Sequence, residues 1–358
     1  MDAMRILQVV TDNNRRGAQV FATQLHDAFR TQGHTVDTVA LWPGAVGGLG
    51  LEPLGDRWPA PLTILELRSR MGRVDVTIAH GSSTLPACAL AGLGRHPFVY
   101  RQISDSAFWA PTRVKRIRTR TALNRARVVV ALSEYNRGLL IDPIGVRPDR
   151  IVVVPNGVPA TEFGPANAPT RTAARAALAL PDGPVVLFVG ALEPEKGTDL
   201  AIRAVAARPD ARLVVAGAGR EREPLEREAA AVAPGRVHFV GTVATAEPLY
   251  HAADLVILPS RGGDAMPAVL LEAGLCGLPV VSTRIGAIPE VVVDGVTGSV
   301  VAPDDQPALD AAVARLLDDP TARAAMGAAA RVRCLERYEI GRVAEQWEAV
   351  LARAIALG

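Results

Sequence analysis

The stretch SRGGDAMPAVLLEAGLCGLPVV, Ser260 to Val281, sets two carboxylates, Asp264 and Glu272, on either side of Pro267 and backs them with an apolar ladder. A strand-like run, DLVILPS, leads into it, and Pro267 sits where proline is favoured, in the first turn of a helix. Asp264 then falls just before a helix whose unpaired N–H groups, from Ala265 and Met266 to Ala268 and Val269, carry positive partial charge. Such a nest suits a phosphate or a sugar oxygen. Glu272 stands beyond Pro267 by about 7.5 Å along the helix axis. Two acceptors and a donor nest in one row match a nucleotide-sugar, which offers sugar hydroxyls, a diphosphate and a ribose diol. Carboxylate oxygens accept strongly from paired hydroxyls. The same spacing also fits an ordinary N-cap at Asp264 and a surface acid at Glu272.

A second motif, GALEPEKGTDL, runs from Gly190 to Leu200 and presents Lys196 at the tip of a tight loop that opens a helix, an anion-binding geometry. Lys115 and Lys196 are the only lysines among 39 basic residues, so a lysine kept at a loop tip stands out against the arginine bias. Taken singly, it is also compatible with a solvated loop lysine. A third motif, NNRRGAQVFATQLHDAFRTQGHTV, places Gly17 at the start of a helix whose Val20, Phe21, Leu25 and Phe29 fall at helical spacing. Glycine there lets a ligand approach the backbone closely. No GxGxxG fingerprint follows the first strand, and GAGRER supplies only a GxG, with Gly217 at its head.

These motifs need strands to hold them. Short runs rich in Val, Ile and Leu alternate with helix-length segments: RILQVV (5–10), TVDTVA (35–40), DVTIAH (75–80), FVYRQ (98–102), RVVVAL (127–132) and RIVVVP (150–155), then PVVLFVG (184–190), ARLVVAG (211–217), RVHFVG (236–241), DLVILPS (254–260) and PVVST (279–283). None alternates strictly, so each is expected to be covered on both faces, as in doubly wound parallel sheets. A Pro- and Gly-bracketed stretch from Asn156 to Gly183 reads as a linker. The expected architecture is α/β, with two Rossmann-like domains, 1–165 and 166–341, facing each other across a cleft, and a C-terminal helix, 342–358, packing back on the first. Every motif lies at a strand carboxyl end, where such sheets bind ligands.

The whole chain bounds the reading. Its 358 residues exceed one compact core, and 49% apolar with 21% charged residues exclude disorder. A net charge of +2 argues against nucleic acid as a partner. Cys88, Cys276 and Cys334 lie far apart in apolar contexts, which predicts buried thiols in a reducing compartment and no metal cluster. The opening MRILQVV lacks the pattern of a signal peptide, and no apolar run reaches the span of a membrane helix. A cytoplasmic protein is expected.

With these residues in view, the chain resembles the family 4 glycosyltransferases of GT-B fold over nearly its whole length, through RRGAQ near the start, PNGV at 155–158, EPEKG at 193–197 and DAMPAVLLEAGLCGLPVV at 264–281. The resemblance implies transfer of a hexosyl group from a nucleotide-diphosphate sugar to an acceptor hydroxyl, with retention of configuration and without a metal or other cofactor. Absence of a DxD triplet agrees. UDP-sugars are favoured over GDP-sugars on family frequency. Carried over by position, Lys196 would hold the diphosphate, Glu272 the ribose hydroxyls, and Asp264 with the following amides the donor sugar. Gly17 would approach the phosphates, Gly190 and Gly217 would belong to the donor-binding site, and the loop of Thr242 and Val243 would lie near the base.

Three departures accompany the resemblance. Asp264 is shorter than the glutamate it replaces and follows a longer loop. A GRL triplet reads GAL here, with Ala191, so one phosphate clamp is missing, and Arg261 is the candidate substitute. The strand end that commonly carries a histidine reads FVYRQISDS, which leaves Arg101, Gln102 and Asp105 on the acceptor side. Outside the motifs, Arg113 to Arg127 holds seven basic residues and no acid. If Val114, Ile117 and Thr121 face the sheet, the cations form either a contact with an anionic membrane surface or a solvated face. Rival readings are a nucleotide-sugar epimerase or glycan phosphorylase on the same fold, a nicotinamide oxidoreductase, disfavoured by the missing fingerprint, and a catalytically silent partner subunit.

Overall fold

The computed structural model describes residues 2–44, 48–56, 59–81, 83–103, 112–263 and 265–357. Asp105 and Asp264 therefore lie outside the described residues. The chain divides into two compact units, Met1–Gly157 with Glu339–Gly358, and Val158–Tyr338. The division falls before the 165/166 boundary read from the sequence, for a local reason. Val158 N–H donates to Tyr338 O at 2.9 Å, the Phe163 ring meets Tyr250 edge-on at 5.8 Å, and a His251 ring nitrogen lies 3.0 Å from Gly164 O. The segment after Gly157 is thus tied into the second unit.

In the first unit the chain runs β1 (Arg5–Asp12), α1 (Gly17–Thr31), β2 (Thr35–Trp42), β3 (Glu52–Pro53), α2 (Pro61–Met71), β4 (Val76–His80), α3 (Thr84–Gly92), β5 (Phe98–Arg101), α4 (Arg113–Leu123), β6 (Val128–Ala131), α5 (Glu134–Ile141) and β7 (Ile151–Val153). The seven strands are parallel in the order β3-β2-β1-β4-β5-β6-β7. One face packs Ile6, Val76, Ile78, Val99, Val128 and Val130 against α1 and the C-terminal helix; the other packs Leu7, Val9, Ala79, Tyr100 and Val129 under α2 and α3. Each fully buried aliphatic contributes about 1.5–3 kcal/mol. The two-residue β3 was not among the expected strands, since GLEPLG offers no apolar run.

The second unit continues with α6 (Ala168–Ala177), β8 (Val185–Val189), α7 (Thr198–Ala206), β9 (Arg212–Ala216), α8 (Arg222–Val232), β10 (Val237–Gly241), α9 (Glu247–Ala252), β11 (Leu255–Leu258), α10 (Ala268–Leu275), β12 (Val280–Thr283), α11 (Ile288–Val291), β13 (Gly298–Val301), α12 (Gln306–Asp318) and α13 (Pro320–Arg337). Its six parallel strands lie in the order β10-β9-β8-β11-β12-β13. The edge strand β13 was also missed, because GSVV is short and follows a turn.

The last helix, α14 (Ile340–Ala356), belongs to the first unit. Trp347, Val343 and Leu351 enter that unit's core. His34 fixes the docking: its Nδ1 accepts from Met4 N–H at 3.1 Å, so Nε2–H donates to Glu348 at 2.8 Å.

One face was assigned the wrong way round. In α4, Thr119 and Leu123 are buried, while Val114 is 66% and Ile117 49% exposed. Leu123 sets the phase, and positions four and seven residues before it turn inward, so the Val114–Ile117–Thr121 stripe lies outward among the cations. No helix among the described residues is long and apolar enough to cross a membrane.

Candidate active site

In each sheet, strand order reverses beside the first strand of its unit, at β1/β4 and at β8/β11. The crevice at such a switch point, beyond the strand carboxyl ends, is where open α/β sheets bind ligands. Both long motifs of the second unit are there. After β8 the chain turns through Gly190 into a 3-10 turn, Pro194–Lys196, and reaches α7 through Gly197 at φ 67°. A side chain at Gly197 would collide with the Pro259 carbonyl, so glycine lets the lysine loop press against the end of β11. Arg261 stitches the contact. Its N–H donates to Glu195 O at 2.7 Å and its Nη1 to Pro194 O at 3.1 Å. The guanidinium also pairs with Asp199, twice at 2.7 Å, and with Asp304 at 2.6 Å. The expectation that Arg261 replaces the missing phosphate clamp is corrected by these bonds, because its donors are committed to carboxylates and a carbonyl. Lys196 itself is partly buried.

Pro267 precedes α10 in extended conformation, so the helix begins one residue later than expected, at Ala268. Ala268 and Val269 therefore supply the first-turn amides, while the side chains of Ala265 and Met266 are buried just ahead of it. Glu272 follows one turn on and is partly buried. Its Oε2 accepts from the Tyr250 hydroxyl at 2.6 Å. Burial pushes the Glu272 pKa up, the Glu162 charge adds to that, and the tyrosine bond opposes it. The Tyr250 phenol is itself driven well up by burial and by the Glu272 carboxylate. Gly190 and Gly217 lie back to back, since a side chain at Gly217 would fall on the Gly190 carbonyl. That contact asks for glycine at 217 whatever it binds. Thr242, exposed, and Val243, half-buried, follow the sheet's outer strand β10.

At the switch point of the first sheet lies a pocket of about 390 Å³, lined in part by Thr11, Arg16, Gln19, His80 and Ser83. Gly17 opens α1 beside it, and a Cβ added there would meet nothing within 4 Å. Packing does not demand this glycine. Behind the pocket runs a polar chain on one sheet face. Gln8 donates to Thr38 and to Ala22 O through its amide nitrogen, at 3.2 and 2.9 Å, so its Oε1, 3.0 Å from His80 Nε2, accepts. His80 Nδ1 is left to accept from Arg101 Nη1 at 3.4 Å. Arg101 also donates to Asn156 and stacks on Phe21, 3.8 Å from the ring centroid. His80 is held neutral, its pKa well below the usual value because it is buried and faces Arg101. Burial lowers Arg101 to about 9, which keeps it charged at neutral pH.

Arg101 and Gln102, read as acceptor-side residues, are each 1% exposed and so lie beneath the surface. His80 was missed, although a polar residue ending the apolar run DVTIAH was the available signal. Asp199 and Tyr250, which position the loop and the glutamate, had no signal in the sequence.

The chain matches the family model described as "Glycosyl transferases group 1" over residues 170–333 and "Glycosyltransferase Family 4" over residues 15–162. It is 33% identical over 298 residues to a GDP-mannose-dependent alpha-(1-6)-phosphatidylinositol monomannoside mannosyltransferase of Mycolicibacterium smegmatis, covering 78% of each protein. The chain belongs to glycosyltransferase family 4. Another member, a D-inositol 3-phosphate glycosyltransferase of Kineococcus radiotolerans, is 35% identical over 63% of this chain, which spans 57% of that relative. A crystal structure of Anabaena HepE in complex with UDP-glucose superposes with a TM-score of 0.87 at 22% identity, covering 98% of this family 4 glycosyltransferase and 99% of HepE. That likeness shows the fold, which is GT-B.

Proposed function

We propose that this glycosyltransferase moves a hexosyl group from a nucleotide-diphosphate sugar to an acceptor hydroxyl, with retention of configuration and without a catalytic metal. The observation that carries the reading is the gathering of Lys196, the first-turn amides of α10 and Glu272 at one switch point, between β8 and β11. Lys196 and the amides would stabilise charge on the departing diphosphate. Glu272, with one oxygen held by Tyr250, would offer the other to the ribose diol. Asp264 would meet the donor sugar.

Among the described residues lining the first unit's pocket, the one histidine uses both ring nitrogens internally. This supports a mechanism in which a phosphate oxygen of the donor takes the acceptor hydroxyl's proton as the glycosidic bond to phosphate breaks and the new one forms on the same face. No group of three metal-ligating side chains is found among the described residues; metal independence itself rests on the family resemblance. The donor is a UDP- or GDP-sugar. The Mycolicibacterium relative is named for GDP-mannose and HepE is seen with UDP-glucose.

The test is thermal-shift binding of UDP, GDP and ADP without metal, followed by transfer assays with the matching sugars and NMR of the anomeric product. An inverted product or an obligatory side-chain base would overturn the mechanism. A second reading, a silent partner subunit, is favoured by exposed Ala191 together with the commitment of Arg261 to acids. Turnover of donor by the chain alone rules it out.

Two features of setting complete the proposal. Three buried free thiols support a reducing, cytoplasmic location. The Arg113–Arg127 segment, with Val114 and Ile117 outward, supports peripheral contact with an anionic membrane, and salt-sensitive binding to anionic vesicles checks it.

A further inference from the structure

Arg101 is the anomaly of the first unit. Its guanidinium is buried, its partners His80 and Asn156 are neutral, its Nε has no hydrogen-bond partner, and it forms no ion pair among the described residues. Buried charges are ordinarily paired, because desolvating an ion costs several kcal/mol and an opposite charge offsets it. The register explains the position: Arg101 on β5 lies opposite His80 on β4, at the carboxyl edge of the face that also carries buried Gln8 and Thr38. His80 lines the pocket, and its Nδ1 lone pair faces Arg101, so positive potential reaches the pocket wall through a polarised neutral ring.

A second cation, Arg16, stands at the rim with its side chain 67% exposed. The carboxylate beside it is Asp12, which accepts from Gln19 at 2.9 Å and from Asn14 N–H at 3.0 Å and lies 3.8 Å from Arg16. Among the described residues, two cations against one acid leave a positive charge uncompensated around a pocket that also offers the hydroxyls of Thr11 and Ser83. We propose that this pocket binds the phosphate group of a phosphorylated acceptor, with Arg16 and the two hydroxyls in contact and Arg101 supplying fixed charge from behind His80. Naming the ligand an acceptor rests on the glycosyltransferase reading; the anion site does not.

The test titrates the full chain with inorganic phosphate, glycerol 1-phosphate and glycerol while 15N shifts of the histidine rings report on His80. It is run on two backgrounds, the wild type saturated with its nucleoside diphosphate and Lys196→Ala without nucleotide, so that the second unit's anion site is filled in the first and weakened in the second. Phosphate and glycerol 1-phosphate should bind and move the His80 signals, glycerol should not, and Arg16→Glu should weaken binding at least about tenfold, the equivalent of one lost charged contact. Arg101→Gln should do the same. Should it fail to fold, the exposed Arg16 variants, with Arg16→Lys retaining binding, carry the test. Absence of binding on both backgrounds, or binding indifferent to Arg16→Glu, overturns the proposal. If no nucleotide binds at all, the donor reading fails while the Lys196→Ala titration still decides this one. Competition by phosphatidylglycerol–phosphatidylcholine vesicles would identify a lipid headgroup as the source of the phosphate; competition by glycerol 1-phosphate alone would identify a soluble ester.

Discussion

Arg261 and Asp199 form a two-pronged ion pair, Nη1 to Oδ1 and Nη2 to Oδ2, both at 2.7 Å, that joins the loop after β11 to the first turn of α7. The same guanidinium holds Pro194 O in the lysine turn. A residue that looked like a ligand clamp is instead the clip that positions Lys196. Asp199 stays charged below the ordinary carboxylate range: burial alone would raise its pKa, but the Arg261 bonds and charge, with Arg203, outweigh it.

Breaking that clip should loosen the site without emptying it. Arg261→Ala is expected to cost about 1–3 kcal/mol of stability in the second unit and to weaken nucleoside diphosphate binding about tenfold. In a double-mutant cycle with Lys196→Ala, calorimetric binding energies should be non-additive by at least about 0.5 kcal/mol. Simple additivity would mean the lysine turn is positioned by something else.

Lys196→Ala should leave the fold intact, as the residue sits on a surface turn, and lower kcat/KM by roughly 10²–10³, the range for losing one preorganised group at a developing charge. Steady-state kinetics with the matched donor check this. A change confined to KM would assign the lysine to ground-state binding alone.

Glu272→Gln should weaken binding of ribonucleoside diphosphates more than of their 2′-deoxy analogues. Because burial raises the Glu272 pKa, its charge is lost on acidification earlier than for an ordinary carboxyl near about 4.3. Wild-type nucleotide affinity should therefore fall as pH drops toward that raised value, and the glutamine variant should show a flatter profile. Equal pH profiles in the two proteins would remove Glu272 from the ribose contact.

His80 gives acid lability a definite sign. Its folded pKa lies well below 6.5, so below about pH 6.5 the unfolded chain takes up a proton that the folded chain refuses. The stability contributed by neutral His80 is present above that pH and is lost as pH falls beneath it, by about 1.4 kcal/mol per unit. Urea unfolding of the first unit's probes at several pH values should show this slope, reduced by one proton in His80→Gln. His26 and His96, in the same unit and also lowered chiefly by burial, add slope of the same sign that the variant retains.

Transfer activity should survive EDTA unchanged. Loss of activity on chelation, restored by magnesium or manganese, would overturn the metal-independent proposal.

Strand-forming runs carried their own answer. Each of the eleven runs read from composition corresponds to a strand; the central ones are buried on both faces, as continuous Val, Ile and Leu between turn residues imply, while the outer strand β10 is only half-buried. The motifs at strand ends were legible for the same reason, since glycine, lysine and proline at those points answer to local backbone geometry. Two short edge strands lacked such a run and were invisible. The phase of α4 was misread because an apolar stripe exists on its outer side, and only the position of Leu123 against the sheet decides which stripe turns in.

What the sequence by itself determined is local: which segments are strands, which loops present amides and a lysine, and the order of motifs that marks family 4. Tertiary structure alone decided what pairs with what. Strand order set the lysine turn beside the loop after β11, consumed Arg261 in holding them, capped Glu272 with Tyr250, and left Arg101 charged and buried behind His80. Those partners are tens of residues apart, and a side chain's charge, exposure and free valences are set by such neighbours rather than by its own identity.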